Sequence, residues 1–406
     1  MDQQKILVQT ALMPRFYKDF HCIMGDCQDN CCDDGWRIEF NKKDYLAVKR
    51  AAQKAGLEEE VTQCIRRLRE REHDGYYAEF VISEAGRCAF HTPEGLCRLQ
   101  LECGVEALPK VCQDFPRRKE YTIMGLERSL SPACEAVLNL LWDLPDGIDF
   151  VEEPLDKSDW RDLAPMSPAA VRFVEIRSLC IDVLQERRLR LPQRMLLLGL
   201  ILQWLRETDW QEEGELDRWL ERSTATLADP SAAAAALDRL PGQPEMCLSE
   251  NLRVLFGISS KAREEMVSEL CAAINMDWKT QKINSFNIDL SRYRELEAKL
   301  DELLGHSEYF FENLMVCVMF YEGFPRLDTP DKLWENYVGL CNLYSFYRFA
   351  AVCGCDKEVS RERLFHVLVQ VSRALLHDRG RQIELQDELF RNNSATLAHM
   401  AILVTG

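Results

Sequence analysis

Beyond residue 159, apolar residues recur three and four positions apart, the interval that lines one face of an α-helix. The pattern predicts helices over 169–186, 193–206, 213–227, 231–240 and 249–274, and again over 291–304, 309–321, 332–351, 361–377 and 382–401. Everything in this region reads as helix. No internal repeat of 20 to 50 residues stands out, so a solenoid gains no support. The earlier part of the chain is patterned differently. Asn41, followed by Asp44, is a helix start. Beyond Gly56, residues Val61, Cys64, Ile65 and Leu68 share a helical face, which assigns Cys64 to the core. "GYYAEFVIS" reads as a short strand and "GRCAFHTPEGLC" as a hairpin-like connection.

The stretch 143–159, rich in Pro and acidic residues, separates the two patterns. The expected architecture is mainly α, with a cysteine-rich metal-binding domain carrying short β elements at 1–145 and an all-helical domain at 146–406. A chain of 406 residues suits two such domains. Its formal net charge of -17 argues against nucleic acid as a partner, because that affinity rests on Lys and Arg meeting phosphates. The same charge would attract a lysine-bearing substrate. The opening residues lack a signal-peptide pattern, and the longest apolar run, 195–205, is about half the ~20 residues of a membrane span. A cytoplasmic protein without a membrane partner is expected.

Cysteine use changes the picture most. Ten of the 17 cysteines lie between Cys22 and Cys134. In a reducing compartment they are not structural disulfides. Cys22, Cys27, Cys31 and Cys32 fall among Gly25, Asp26, Asp29, Asn30, Asp33 and Asp34, polar surroundings that suit ligands better than core. Thiolates are soft donors, suited to zinc or an iron–sulfur cluster. The spacing is not the paired C-x2-C of common zinc sites. Nor is it C-x3-C-x2-C, since Asp34 stands where the third cysteine would fall. These residues alone leave the metal open. His21 and His91, beside the cluster, are candidates to ligate or to support it.

"FHCIMGDCQDNCCDDGWRIEFNKKDY", "GRCAFHTPEGLCRLQ", "VCQDFPRR" and "LERSLSPACEAVLNLLW", taken in order, resemble the N-terminal region of the bacterial flagellin lysine-N-methylase family, within a wider group of zinc- or iron-chelating cysteine-cluster proteins. "FFENLMVCVMFYEGFPRL" resembles a later family segment, with Leu314, Met315 and Val316 where a tyrosine-bearing stretch is usual. The resemblance implies metal-site residues at Cys22, Cys27, Cys31, Cys32, Cys88, Cys97, Cys112 and Cys134. Of these, Cys22, Cys27, Cys31 and Cys112 are the expected direct ligands. Cys103 occupies an apolar family position and is expected to pack. An iron–sulfur cluster of the four-iron type, with zinc as the alternative, and S-adenosylmethionine as methyl donor are the implied cofactors. Flagellin is the implied substrate.

Methylation of lysine requires a neutral amine, hence desolvation and a proton acceptor. In the C-terminal half, Glu312, Tyr309 and Tyr321 are the catalytic candidates, with Glu335, Tyr337 and Tyr347 as further lining groups. No Gly-rich turn follows a strand, so the cofactor site has no signature. G-x-S-x-G, P-loop and H-E-x-x-H motifs are absent. "PRRKEY", at 116–121, is a short basic patch. The rival reading is a non-enzymatic metal-binding protein that docks or regulates a partner.

Overall fold

The computed structural model describes residues 6–33, 36–70, 75–84, 86–122, 125–163, 167–240, 242–259, 263–279 and 288–406. Two compact units emerge. One comprises Met1–Asp19, Lys119–Ala133 and Leu138–Gly406; the other comprises Phe20–Arg118 with Cys134–Val137.

The larger unit is built on a helix of 25 residues, Pro330–Gly354, that is buried on nearly every side. Thr329 starts it by accepting a hydrogen bond from the Lys332 backbone N–H, with Pro330 in the first turn. A helix without a polar face must be enclosed. The helices packed around it include Leu191–Glu207, Pro244–Gly257, Glu264–Ala273, Leu290–Leu304, Arg361–Leu376 and Leu397–Thr405. The region is helical as expected, with two divisions that periodicity does not show. The span 249–274 is two helices, the first ending at Gly257. The span 382–401 also divides, because Asn393 adopts a left-handed φ of 53° after Arg379–Arg391 and Thr396 then caps Leu397–Thr405.

Strands also enter this unit. Thr10–Pro14 lies between Gly125–Leu130, to which it is parallel, and Phe150–Pro154, to which it is antiparallel; Arg117–Thr122 completes the sheet. Ile6–Val8 pairs with Arg161–Leu163, so the region past residue 159 opens with a strand rather than a helix. Strands of three to five residues whose partners lie over a hundred positions away leave too little alternation to read. Buried Glu127, on Gly125–Leu130, ion-pairs with Arg177 of the helix Phe173–Leu184, whose Nε donates to Phe324 O at 2.6 Å.

In the smaller unit, Asn41 caps the helix Lys42–Ala55 through the Asp44 N–H at 2.9 Å. The helical face expected over Val61 to Leu68 ends early. Glu58–Gln63 is helical, and Ile65–Arg67 is a strand paired with Ala78–Phe80. Cross-strand partners explain the change: Arg66 Nε donates to buried Glu79 at 2.6 Å, and Arg67 lies 3.4 Å above the Tyr77 ring. Cys64 packs against the core of this unit, as does Cys103. "GRCAFHTPEGLC" closes through bridges between Ile82 and Cys88 and between His91 and Cys97.

Gly199, inside Leu191–Glu207, tests the packing around the long helix. A Cβ there would lie 2.0 Å from the Tyr337 hydroxyl, which is fully buried and donates to Met195 O at 3.2 Å. Gly199→Ala should therefore destabilise the protein by about 1–3 kcal/mol despite alanine's better helix propensity. A lowered denaturation midpoint is the expected reading.

Candidate functional site

The loop that carries the first four cysteines is held by polar and close backbone contacts. Asn30 Nδ2 donates to Gly95 O at 2.5 Å, its Oδ1 accepts from the Cys32 N–H at 2.9 Å, and the Cys88 N–H donates to Cys32 O at 2.8 Å. These bonds join residues 30–32 to the hairpin at 86–97. The two backbones meet at glycines: a Cβ on Gly25 would sit 2.6 Å from Glu94 O, and Gly95, at φ 75°, would place one 3.3 Å from Gly25 Cα. A third tie comes from Glu135. Its Oε2 accepts from the Gln28 N–H at 2.8 Å and lies 3.4 Å from the Cys27 thiol.

The thiols gather around Cys31. It hydrogen-bonds Cys32, and this bond, with burial and the neighbouring sulfurs, raises the Cys32 thiol far above its usual value. Burial pushes Cys88 up to about 11, against a hydrogen bond from the Phe90 N–H. Burial likewise raises Cys97 and Cys112. It takes Cys134 to about 12 against the N–H groups of Val137 and Ala136. Each of these thiols feels the charge of Cys31. Cys88 belongs to the apolar core of the smaller unit, with Cys32, Cys97 and Cys112 packed against it, while Cys31 is exposed. Cys22, an exposed residue, neighbours Cys134, and Cys27 is turned to Glu135.

Among the described residues no three His, Cys, Asp or Glu side chains converge closely enough to hold a metal ion. The chemistry of the set nevertheless fits one. Several soft donors are crowded and desolvated, so that deprotonating them needs positive charge in their midst. His91 adds a second observation, since its Nε2 is buried with no hydrogen-bond partner. Residues of the remaining quoted segments brace the loop: Trp36 meets Phe115 edge-on at 5.0 Å, and Arg117 lies 4.6 Å over Phe20 while donating to its carbonyl at 3.3 Å. The first arginine of the basic patch is therefore a packing group.

In the helical unit, the candidates on Tyr309–Tyr321 separate into two places. Tyr309 donates to Trp142 O at 2.8 Å, and Arg187 lies 5.9 Å over its ring. Glu312, 2% exposed, accepts from Arg187 Nη2 at 2.9 Å and Nε at 3.0 Å and from Arg194 Nη1 at 2.5 Å. Its lone pairs are committed. Asn313 beside it donates to Leu141 O and Leu144 O at 2.9 and 2.8 Å. Tyr321 stands about 18 Å along the helix from Tyr309, its ring 6.2 Å from that of His377. Tyr337 and Tyr347 are fully buried, the latter against Ser372 at 2.8 Å, and Glu335 ion-pairs with Lys332 at 2.5 Å.

A cavity of about 270 Å³ lies elsewhere in the same unit, lined by residues of Leu191–Glu207, Pro244–Gly257, Leu290–Leu304, Pro330–Gly354 and Leu397–Thr405 and by Leu237, Asp238 and Leu240. Its polar lining includes Asn251, Tyr293, Glu297, Tyr344, Ser345 and Arg348. Asn251 Nδ2 donates to Ser345 Oγ at 2.9 Å, making a satisfied floor. Sequence reasoning missed this group. Its one signal is the row Tyr344, Ser345 and Arg348, polar groups on one face of an otherwise apolar helix.

Residues 177–403, more than half of the chain, match the model of the FliB lysine N-methylase C-terminal domain, and the chain belongs to that family. It is 27% identical over 176 residues to proteins named lysine-N-methylase from Salmonella choleraesuis and Salmonella typhimurium. Each match covers 42% of this chain and 42% of the relative, so the chain spans less than half the length of these relatives. A "Flagellar biosynthetic protein FliU" from Salmonella muenchen is 29% identical over 148 residues, 36% of this chain and 83% of the relative. No solved structure matches. Among the described residues no helix is long and apolar enough to cross a membrane.

The Glu312 cluster gives a direct test. Glu312→Gln leaves Arg194, whose side chain is 9% exposed, without its counter-charge. The expected result is a loss of about 3–5 kcal/mol of stability in denaturant titration. Unchanged stability with an altered pH dependence of activity would instead make Glu312 a proton acceptor.

Proposed function

We propose that this protein is a protein-lysine N-methyltransferase that acts on flagellin, takes its methyl group from S-adenosylmethionine and carries a cysteine-ligated iron–sulfur cluster. The observation that carries the reading is the match of residues 177–403 to the lysine N-methylase domain. The thiol loop supports the cluster. Cys22, Cys27, Cys31 and Cys112 are the residues that would hold it, with Cys32, Cys88, Cys97 and Cys134 as the remaining thiols of the set. A four-iron cluster takes four such thiolates, and zinc remains the alternative occupant.

The donor supplies an electrophilic methyl group on sulfur; the protein's work is to present a lysine nitrogen to it. That amine, with a reference pKa of roughly 10.4, must arrive neutral. An apolar enclosure shifts the amine towards the neutral form, and the rest of the barrier falls through alignment. The formal charge of -17 draws lysine-bearing surfaces towards the enzyme.

Intact-mass analysis of flagellin co-expressed with this protein tests the reading, beside a control carrying Cys27→Ser and Cys31→Ser. Mass steps of whole methyl groups, absent in the control, are expected. An unshifted mass from soluble, metal-loaded protein would favour a non-enzymatic metal module. Elemental analysis of the purified protein should find iron with acid-labile sulfide, and both should fall in the double variant. Stoichiometric zinc in a colourless protein would replace the cluster with a zinc staple.

A further inference from the structure

The helical cavity is lined by a guanidinium that is ion-paired but not hydrogen-bonded, and by two phenolic hydroxyls. Arg348 reaches Glu297 at 3.8 Å and Asp301 at 3.6 Å, both beyond hydrogen-bond range, and rests 5.3 Å from the Phe311 ring. Its side chain is 24% exposed, and no described residue accepts a hydrogen bond from it. Tyr293 and Tyr344 are buried through their rings, and burial holds both phenols above their usual value, so each remains an O–H donor. Neither hydroxyl has a hydrogen-bond partner among the described residues. Glu297 contributes a carboxylate to the same lining, and Leu196, Leu237, Leu240 and Leu403 supply an apolar wall.

A guanidinium beside two phenols suits a carboxylate, and a carboxylate one step away suits an ammonium. We propose that this cavity binds an α-amino-acid zwitterion. The carboxylate would sit against Arg348, Tyr293 and Tyr344, with the ammonium against Glu297 and the remaining chain along the leucine wall. Its volume of about 270 Å³ lies just under the range for whole drug-sized ligands, roughly 300–1,000 Å³. It is room for one amino acid, or for the amino-acid end of a larger molecule whose remainder extends past the mouth. The methionyl end of a sulfonium methyl donor and a free amino acid share this chemistry. Assigning the site to the donor rests on the methyl-transfer reading; recognition of the zwitterion does not.

Calorimetric titration of the full chain separates these possibilities, using S-adenosylhomocysteine, L-methionine and adenosine as probes. The wild-type protein should bind S-adenosylhomocysteine. Arg348→Gln should weaken that binding tenfold or more, the loss expected for one charge-assisted hydrogen bond. Tyr344→Phe, which keeps the ring and hence the packing, should weaken it by a few-fold. Binding of L-methionine with rejection of S-adenosylhomocysteine would support the zwitterion site and assign it to a free amino acid. Unchanged S-adenosylhomocysteine affinity in both variants, or no binding of either amino-acid probe to the wild type, would overturn the proposal. The flagellin mass shift is read on the same preparations. Its presence with unaltered affinities would leave the methylase reading standing and move the donor elsewhere.

Discussion

A 25-residue helix with no polar face cannot stand in water, and most of the helical unit follows from enclosing Pro330–Gly354. Its neighbours turn mainly apolar sides to it, and at two close approaches a side chain is absent. Gly199 meets the Tyr337 hydroxyl at such a point, and Gly354 approaches Val367 at another. The few polar groups on the long helix then acquire meaning by position. Tyr347 is answered by Ser372 and Ser345 by Asn251, whereas Arg348 is answered only by distant carboxylates.

The helices were legible because their signal is local: periodicity and a cap such as Asn41 sit within a few residues of what they specify. One strand, Ala78–Phe80 within "GYYAEFVIS", was equally local, but those of the larger unit were not, since Thr10–Pro14 draws its partners from residues 125–130 and 150–154. The divisions at Gly257 and Asn393 fall between locally written and invisible; single residues that favour helix ends do not interrupt an apolar stripe that continues beyond them. The same distinction governs the sites. Clustered cysteines announce themselves, but their support does not. Glu135 reaches back over a hundred positions to Cys27 and Gln28, and Gly25 owes its identity to Glu94.

The thiol loop is held with little regular structure. Short 3-10 turns and two isolated bridges provide its frame, so side-chain amides and carboxylates replace a ladder. Asn30 uses both ends of its amide and Glu135 collects successive N–H groups. This arrangement can bring the cysteines of a polar segment under cover without burying an unsatisfied backbone. Burial, more than the neighbouring sulfurs, raises the thiols of Cys88, Cys112 and Cys134, and Cys32 is raised first by its hydrogen bond with Cys31.

Three arginines in the helical unit separate structural charge from charge held in reserve. Arg177 is matched by Glu127 and Phe324 O, and Arg194 by Glu312 and the carbonyls of Leu184 and Leu189. Both are desolvated, and removing either partner would leave an uncompensated ion. Arg348 is enclosed by aromatic rings and an apolar helix, yet its nearest carboxylates lie too far for a hydrogen bond. At 24% exposure its donors are open to solvent, so an acceptor placed there would take the place of water. It faces the cavity beside the hydroxyls of Tyr293 and Tyr344, the donor set on which the proposed ligand site rests.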